Sequence, residues 1–144
     1  MTTTFGSAKW QGGIKDGKGA ISTRSGALKD YPYGFASRFE GKPGSNPEEL
    51  IGAAHAGCFT MALTAQLSRA GFAPTQIHTS ATVALEKIGE AFAITRIELD
   101  TAAQMPDIDD ATFQKHWHCN QTERFSSADC SQVSAASPTS GWHG

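Results

Sequence analysis

Apolar and polar positions change period twice along the chain, and each change marks a different kind of element. In the first third the apolar positions alternate in short runs. Residues 7–13 and 19–25 flank Lys15-Asp16-Gly17-Lys18-Gly19, and an Asp-Gly step between two such runs predicts a β-hairpin. Residues 35–40, FASRFE, alternate again and predict a strand with Phe35 and Phe39 on one face and Arg38 on the other. The turn residues Gly41-Lys42-Pro43-Gly44-Ser45 end it.

From Asn46 the period lengthens to that of a helix. Asn46 suits the N-cap, Pro47 suits N1, and Glu49 at N3 completes a capping box. Leu50, Ala54, Cys58, Met61 and Ala65 then form a stripe at steps of three and four, and Gly71 supplies the stop. The predicted helix, 47 to about 70, is roughly 36 Å long. Residues 52–58 are nearly all small, so another element packs closely on it, as befits a central helix.

Alternation returns in 76–87 and 91–102, two strands joined at Gly89-Glu90. Val83 and Leu85 keep phase in the first; Phe92, Ile94, Ile97 and Leu99 do so less strictly in the second. Residues 105–110 prepare another helix starting near Ala111. Beyond residue 114 the pattern stops: 115–144 hold six serines, no Leu, Ile or Met, and neither period. The expected organisation is an α+β domain over 1–114 followed by an irregular tail over 115–144.

Composition narrows function by exclusion. The 144 residues fit one domain, and 12 Lys+Arg against 14 Asp+Glu give a formal charge of −2, with no excess to draw nucleic acid or an anionic membrane. No apolar run of about 18 residues is expected to span a bilayer, and no Sec-type signal heads the sequence. Three cysteines argue against a disulfide scaffold, so a cytoplasmic protein with reduced thiols is expected.

Cys58 sits among Ala53, Ala54, Ala56 and Gly57. It reads either as a small buried hydrophobe or as a nucleophile. An ordinary thiol, with a pKa of about 8.5, is only a few per cent ionised at neutral pH, so the second reading requires a nearby cation. Arg38 is the candidate, though a strand arginine usually belongs to a solvated face. Glu48 is a third candidate, whose ordinary role is to complement the helix dipole, for which Glu49 at N3 is better placed. On a straight helix Glu48 and Cys58 lie about 15 Å apart along the axis, so they cooperate only through a bent helix start or across a subunit interface. His55, one turn before Cys58, reads as a packed helix histidine. His116-Trp117-His118-Cys119, with Cys130 and His143, matches no trusted zinc spacing, and no metal site is expected.

Several segments together carry a family resemblance: Trp10-Gln11-Gly12, Pro32-Tyr33-Gly34-Phe35, Arg38-Phe39-Glu40-Gly41, NPEELIGAAHAGCFTMAL (46–63), Gly71-Phe72 and Phe92-Ala93-Ile94-Thr95. Over residues 6 to 114 the sequence resembles the osmotically inducible protein C (OsmC) / organic hydroperoxide resistance family, and the GAAHA segment looks most like the OsmC branch. The resemblance implies antiparallel sheets around a long central helix, in an intertwined homodimer with active sites at the subunit interface. It implies a thiol peroxidase of oxidative and osmotic stress defence that reduces organic hydroperoxides, without cofactor, at the expense of a thiol reductant. Cys58 then matches the peroxidatic cysteine, Arg38 the arginine that activates it, and Glu48 the glutamate that pairs with that arginine. The other function expected of such a fold is a non-catalytic dimeric binder of apolar small molecules.

The resemblance stops abruptly. Arg124 stands where the family places its second cysteine, in a Cys-Pro-Val-Ser-like motif on the second helix. Cys119 and Cys130 miss that position by five and six residues, which leaves them as the resolving candidates. The family's closing apolar strand has no counterpart either, a pattern that resembles a frameshift near codon 115.

Overall fold

The computed structural model describes residues 1–124, with side chains through Cys119. By its contacts the chain forms two compact units, Met1–Leu50 and Ile51–Gly144. Its elements are mixed α and β, with antiparallel sheets and one long helix.

In the first unit, β1 (Gly6–Gln11) and β2 (Lys18–Thr23) form the expected hairpin, with Trp10 opposite Gly19. β3 (Tyr31–Tyr33) adds to β2 to complete a three-stranded antiparallel sheet. Gly19 is buried because the Tyr33 ring lies across it; any side chain there would collide with that ring.

The strand expected over 35–40 is instead a short helix, α1 (Phe35–Phe39). Phe35 and Phe39 are four apart, a spacing that serves either period, and five residues are too few for periodicity to decide. Their rings meet at 4.9 Å on one helix face. The Ser37 hydroxyl settles the choice by accepting the Gly34 N–H (2.9 Å) and donating to the Ser45 carbonyl (2.8 Å). Ser45 is itself buried, and its N–H donates to the Pro32 carbonyl at 2.8 Å.

The long helix, α2 (Pro47–Arg69), begins as its sequence predicts. The Asn46 carboxamide accepts the Glu49 N–H at 2.8 Å, and the Glu49 carboxylate accepts the Asn46 N–H at 3.3 Å. It ends at Gly71, which adopts φ +89 while the Phe72 N–H bonds back to the Leu67 carbonyl.

In the second unit β4 (Gln76–Ile88) and β5 (Ala91–Gln104) form a long antiparallel pair. The loose phase of β5 has a structural cause. Ala84 pairs with Arg96 but Leu85 pairs with Ile94, so Thr95 is an extra residue, and this bulge returns Ile94 and Ile97 to the same face. α3 (Asp110–Arg124) follows, with Asp109 accepting the Thr112 N–H at 2.8 Å. Residues 115–124, expected to be irregular, are therefore helical. Phe113 and Trp117 sit four apart on that helix and are both buried, so two bulky rings anchor a segment of low apolar content.

The core of this unit joins Phe59, Leu63 and Leu67 of α2 to Leu99, Phe113 and Trp117. Gly52 approaches β4 closely enough that a side chain would press on the Ala81 carbonyl and Val83. The packed face of α2 is thus Gly52, Ala56, Phe59, Leu63 and Leu67, whereas Ala54, Cys58 and Met61 of the expected stripe are exposed. The helix is apolar on two faces, and the stripe at steps of three and four marks the one left open within this chain. By length and composition α2 is also apolar enough to cross a membrane, contrary to expectation. Its Phe59, Leu63 and Leu67 side chains are buried in the core of this unit. Leu63→Ala, at a fully buried position, is expected to lower stability by about 2–5 kcal/mol in urea unfolding, through lost burial and the cavity left behind.

Candidate active site

Arg38 occupies the last turn of α1, and Glu48 the first turn of α2. The Ser37–Ser45 and Ser45–Pro32 hydrogen bonds fold the intervening loop back, so that these two side chains meet although ten residues separate them. The guanidinium engages the carboxylate through two nitrogens. Nε donates to both Oε1 and Oε2 at 3.1 Å, and Nη2 donates to Oε1. Such a fork fixes the plane of the guanidinium as well as its position. The Arg38 side chain is 33% exposed and that of Glu48 12%, so one cationic face stays open while the anion is enclosed. Arg38 also lies over the Phe39 ring, 5.1 Å from its centroid.

Beside this pair is a pocket of about 260 Å³ lined by Trp10, Ile14, Tyr33, Phe35, Phe39 and Pro47 as well as Arg38. Among the described residues it presents one charged group to an otherwise aromatic and aliphatic wall. The Trp10 indole N–H is satisfied by the Gly12 carbonyl at 3.1 Å, and the Trp10 and Tyr33 rings meet at 5.5 Å. Sequence alone assigns no chemistry to the pocket residues Trp10, Tyr33 and Phe39. The available signal is that Trp10-Gln11-Gly12 and Pro32-Tyr33-Gly34-Phe35 belong to the family pattern, but nothing in either motif says that it lines a cavity.

Burial disfavours the charged form of Glu48. Hydrogen bonds from Arg38, its own backbone N–H and the Arg38 charge outweigh that, and hold the carboxyl below the ordinary glutamate value of 4.5. The sign follows from linkage: the pair's stabilisation is fully present above 4.5 and is lost as pH falls through the depressed folded value. Urea midpoints of wild type and Glu48→Gln are therefore expected to differ most above pH 4.5 and to converge below it. A gap that stays constant with pH would contradict the assignment.

Cys58 lies in the second unit, exposed on the open face of α2 between Ala54 and Met61. His55 is half-buried on the same helix, and burial pulls its pKa below the ordinary histidine value, which favours the neutral imidazole. Cys119 is exposed on α3, and Cys130 lies outside the described residues. Of the residues in the zinc reading, His116 packs edge-on against Phe72 and Trp117 is a core residue, while His143 also lies outside the described residues. Among the described residues no three His, Cys, Asp or Glu side chains gather as a metal site would need.

Arg38, Glu48 and Cys58 all stand in the segments that carry the family resemblance. The family described as OsmC-like protein matches residues 39–120, from the end of α1 into α3. Peroxiredoxin OsmC of Escherichia coli (strain K12) is 57% identical over 108 residues, which cover 75% of this chain and 76% of that protein. The chain belongs to the OsmC-like family. Solved structures share the fold at lower identity. The organic hydroperoxide resistance protein OhrB of Bacillus subtilis superposes with a TM-score of 0.61 at 24% identity, over 82% of this chain and 84% of that one. The organic hydroperoxide resistance protein of Elizabethkingia anophelis gives 0.63 at 21%, over 85% and 83%. The OsmC-like match extends to residue 120, past the limit of 114 that the sequence motifs suggest.

Proposed function

We propose that this protein is a cysteine-based peroxidase that reduces organic hydroperoxides to alcohols in oxidative and osmotic stress defence. The observation that carries this reading is the 57% identity to a protein named Peroxiredoxin OsmC across three quarters of the chain. The forked Arg38–Glu48 pair and the aromatic pocket beside it support the same reading, because they offer a fixed cation next to an apolar binding surface.

In the reaction, the Cys58 thiolate attacks the distal oxygen of R–O–OH. An S–O bond forms and the O–O bond breaks; sulfur is oxidised to the sulfenic acid, and the departing alkoxide takes up a proton to leave as the alcohol. Arg38 steadies the negative charge that develops on the peroxide oxygens, and Glu48 holds the guanidinium in the orientation that does so. The sulfenic acid then condenses with a second thiol, from an external reductant or from Cys119 or Cys130, and further thiol returns Cys58 to its reduced state. No cofactor enters this cycle.

The working form is a homodimer in the cytoplasm. The open face of α2, with Ile51 42% and Met61 77% exposed around Cys58, is the surface that a second copy would cover. Turnover of cumene hydroperoxide with dithiothreitol tests the activity. Stoichiometric appearance of cumyl alcohol is expected, and its absence would point instead to a non-catalytic binder of apolar molecules.

A further inference from the structure

Residues 1–50 hold seven Lys and Arg against five Asp and Glu, although the whole chain carries a formal charge of −2. Three of the seven, Lys15, Lys18 and Lys42, line a second cavity, of about 220 Å³, and among the described residues no acidic side chain does. Arg38, with Trp10, Ile14 and Phe39, belongs to the aromatic pocket and takes no part in this one. The acids of the first unit are placed elsewhere. The Asp16 carboxylate lies against Gly13, Asp30 bonds Lys9 at 3.1 Å, Glu48 bonds Arg38, Glu49 caps α2, and Glu40 does not line the cavity. None of the three lysines makes an ion pair among the described residues. Three cations therefore share one cavity without an internal counterion, and such an arrangement attracts an anion.

The backbone under each lysine is fixed. Lys15 stands in the turn that the Gly17 N–H closes onto the Gly13 carbonyl at 2.8 Å, and Lys18 pairs with Gln11 at the start of β2. Lys42 donates its N–H to the Ala36 carbonyl at 3.2 Å. An anion thus has only side chains to order, which lowers the cost of binding. The cavity is smaller than the roughly 300–1,000 Å³ usual for a drug-sized ligand, so it suits a compact one. Attraction scales with the product of the charges, and a single carboxylate leaves most of the positive charge unmatched. A diphosphate is compact, carries several charges, and offers acceptor oxygens on every side to lysine ammonium groups.

We propose that Lys15, Lys18 and Lys42 form a binding site for a compact polyvalent phosphate, with a diphosphate as the group that matches its size and charge. The site is separate from the Arg38–Glu48 pair and stands whether or not the chain reduces peroxides. The lysines are exposed and solvated, so each contributes modestly and the three act together.

Calorimetric titration of the full chain with sodium diphosphate at low ionic strength tests it. One saturable site per chain is expected, tighter than any response to sodium acetate and weakened by added salt. Lys15→Gln, Lys18→Gln and Lys42→Gln are each expected to weaken binding about twofold, and the triple variant on the order of tenfold. Lys87→Gln, in β4 of the second unit, is expected to leave it unchanged. An unchanged urea midpoint shows that the variants keep the fold, and the single variants carry the test if the triple one does not. The proposal is overturned by no saturable binding, by equal affinity for acetate, by full affinity in the lysine variants, or by an equal loss in Lys87→Gln. ADP separates the two sources of a diphosphate. Affinity equal to or above that of the inorganic anion assigns the site to the diphosphate end of an ester, and weaker binding assigns it to inorganic diphosphate.

Discussion

Cys58→Ser is expected to abolish hydroperoxide reduction, with kcat/KM falling on the order of 10³-fold or more, because the reaction runs through a covalent change at that sulfur. Serine keeps the size and the helix position but supplies neither an accessible anion at neutral pH nor an atom that accepts oxygen from a peroxide. Stability is expected to stay within about 0.5 kcal/mol of wild type, since Cys58 is exposed on the open face of α2 and the core lies on the opposite face with Phe59, Leu63 and Leu67. Loss of activity with an unchanged urea midpoint separates a lost nucleophile from a damaged fold.

The second large effect belongs to Arg38. Arg38→Met removes the only cation that lines the aromatic pocket among the described residues and is expected to cost about 10²–10³ in kcat/KM, the usual consequence of deleting a donor aimed at developing charge. Glu48→Gln keeps the shape and an acceptor but gives up the charge and the fork, so a smaller loss of about tenfold is expected. Glu48 acts through Arg38, and the double variant is therefore expected to be no worse than Arg38→Met alone. Additive losses would mean that Glu48 has a separate role. Arg38→Met also strands a carboxylate that is 12% exposed, and adding Glu48→Gln is expected to restore part of the lost stability.

Where local chemistry and periodicity agree, the elements are legible in the sequence. Asn46, Pro47, Glu49 and Gly71 define both ends of α2 because capping depends only on neighbouring residues. The hairpin turns and the β4–β5 pair follow for the same reason. α1 reads as a strand because Phe35 and Phe39 satisfy two periods, and a hydrogen bond from Ser37 to Ser45, eight residues away, decides between them. The helical span 115–124 escapes periodicity because its anchorage is two aromatic side chains and not a stripe.

The candidate site divides along the same line. Motif residues alone single out Arg38, Glu48 and Cys58, and in the fold the side chains of the first two meet in a fork. The exposed position of Cys58 is not legible, since α2 carries apolar residues on two faces and sequence alone does not rank them. The pocket walls at Trp10, Tyr33 and Phe39 come from three separate segments, so only the folded first unit brings them together.

The central claim, that Cys58 is a peroxide-reactive sulfur, is tested most directly by intact mass under non-reducing conditions before and after one equivalent of cumene hydroperoxide. The wild-type chain is expected to lose about 2 Da if a second cysteine of the same chain closes a disulfide, or to gain about 16 or 32 Da if the oxidised sulfur stays unresolved, with neither change in Cys58→Ser. An unchanged wild-type mass, or the same shift in Cys58→Ser, would contradict it.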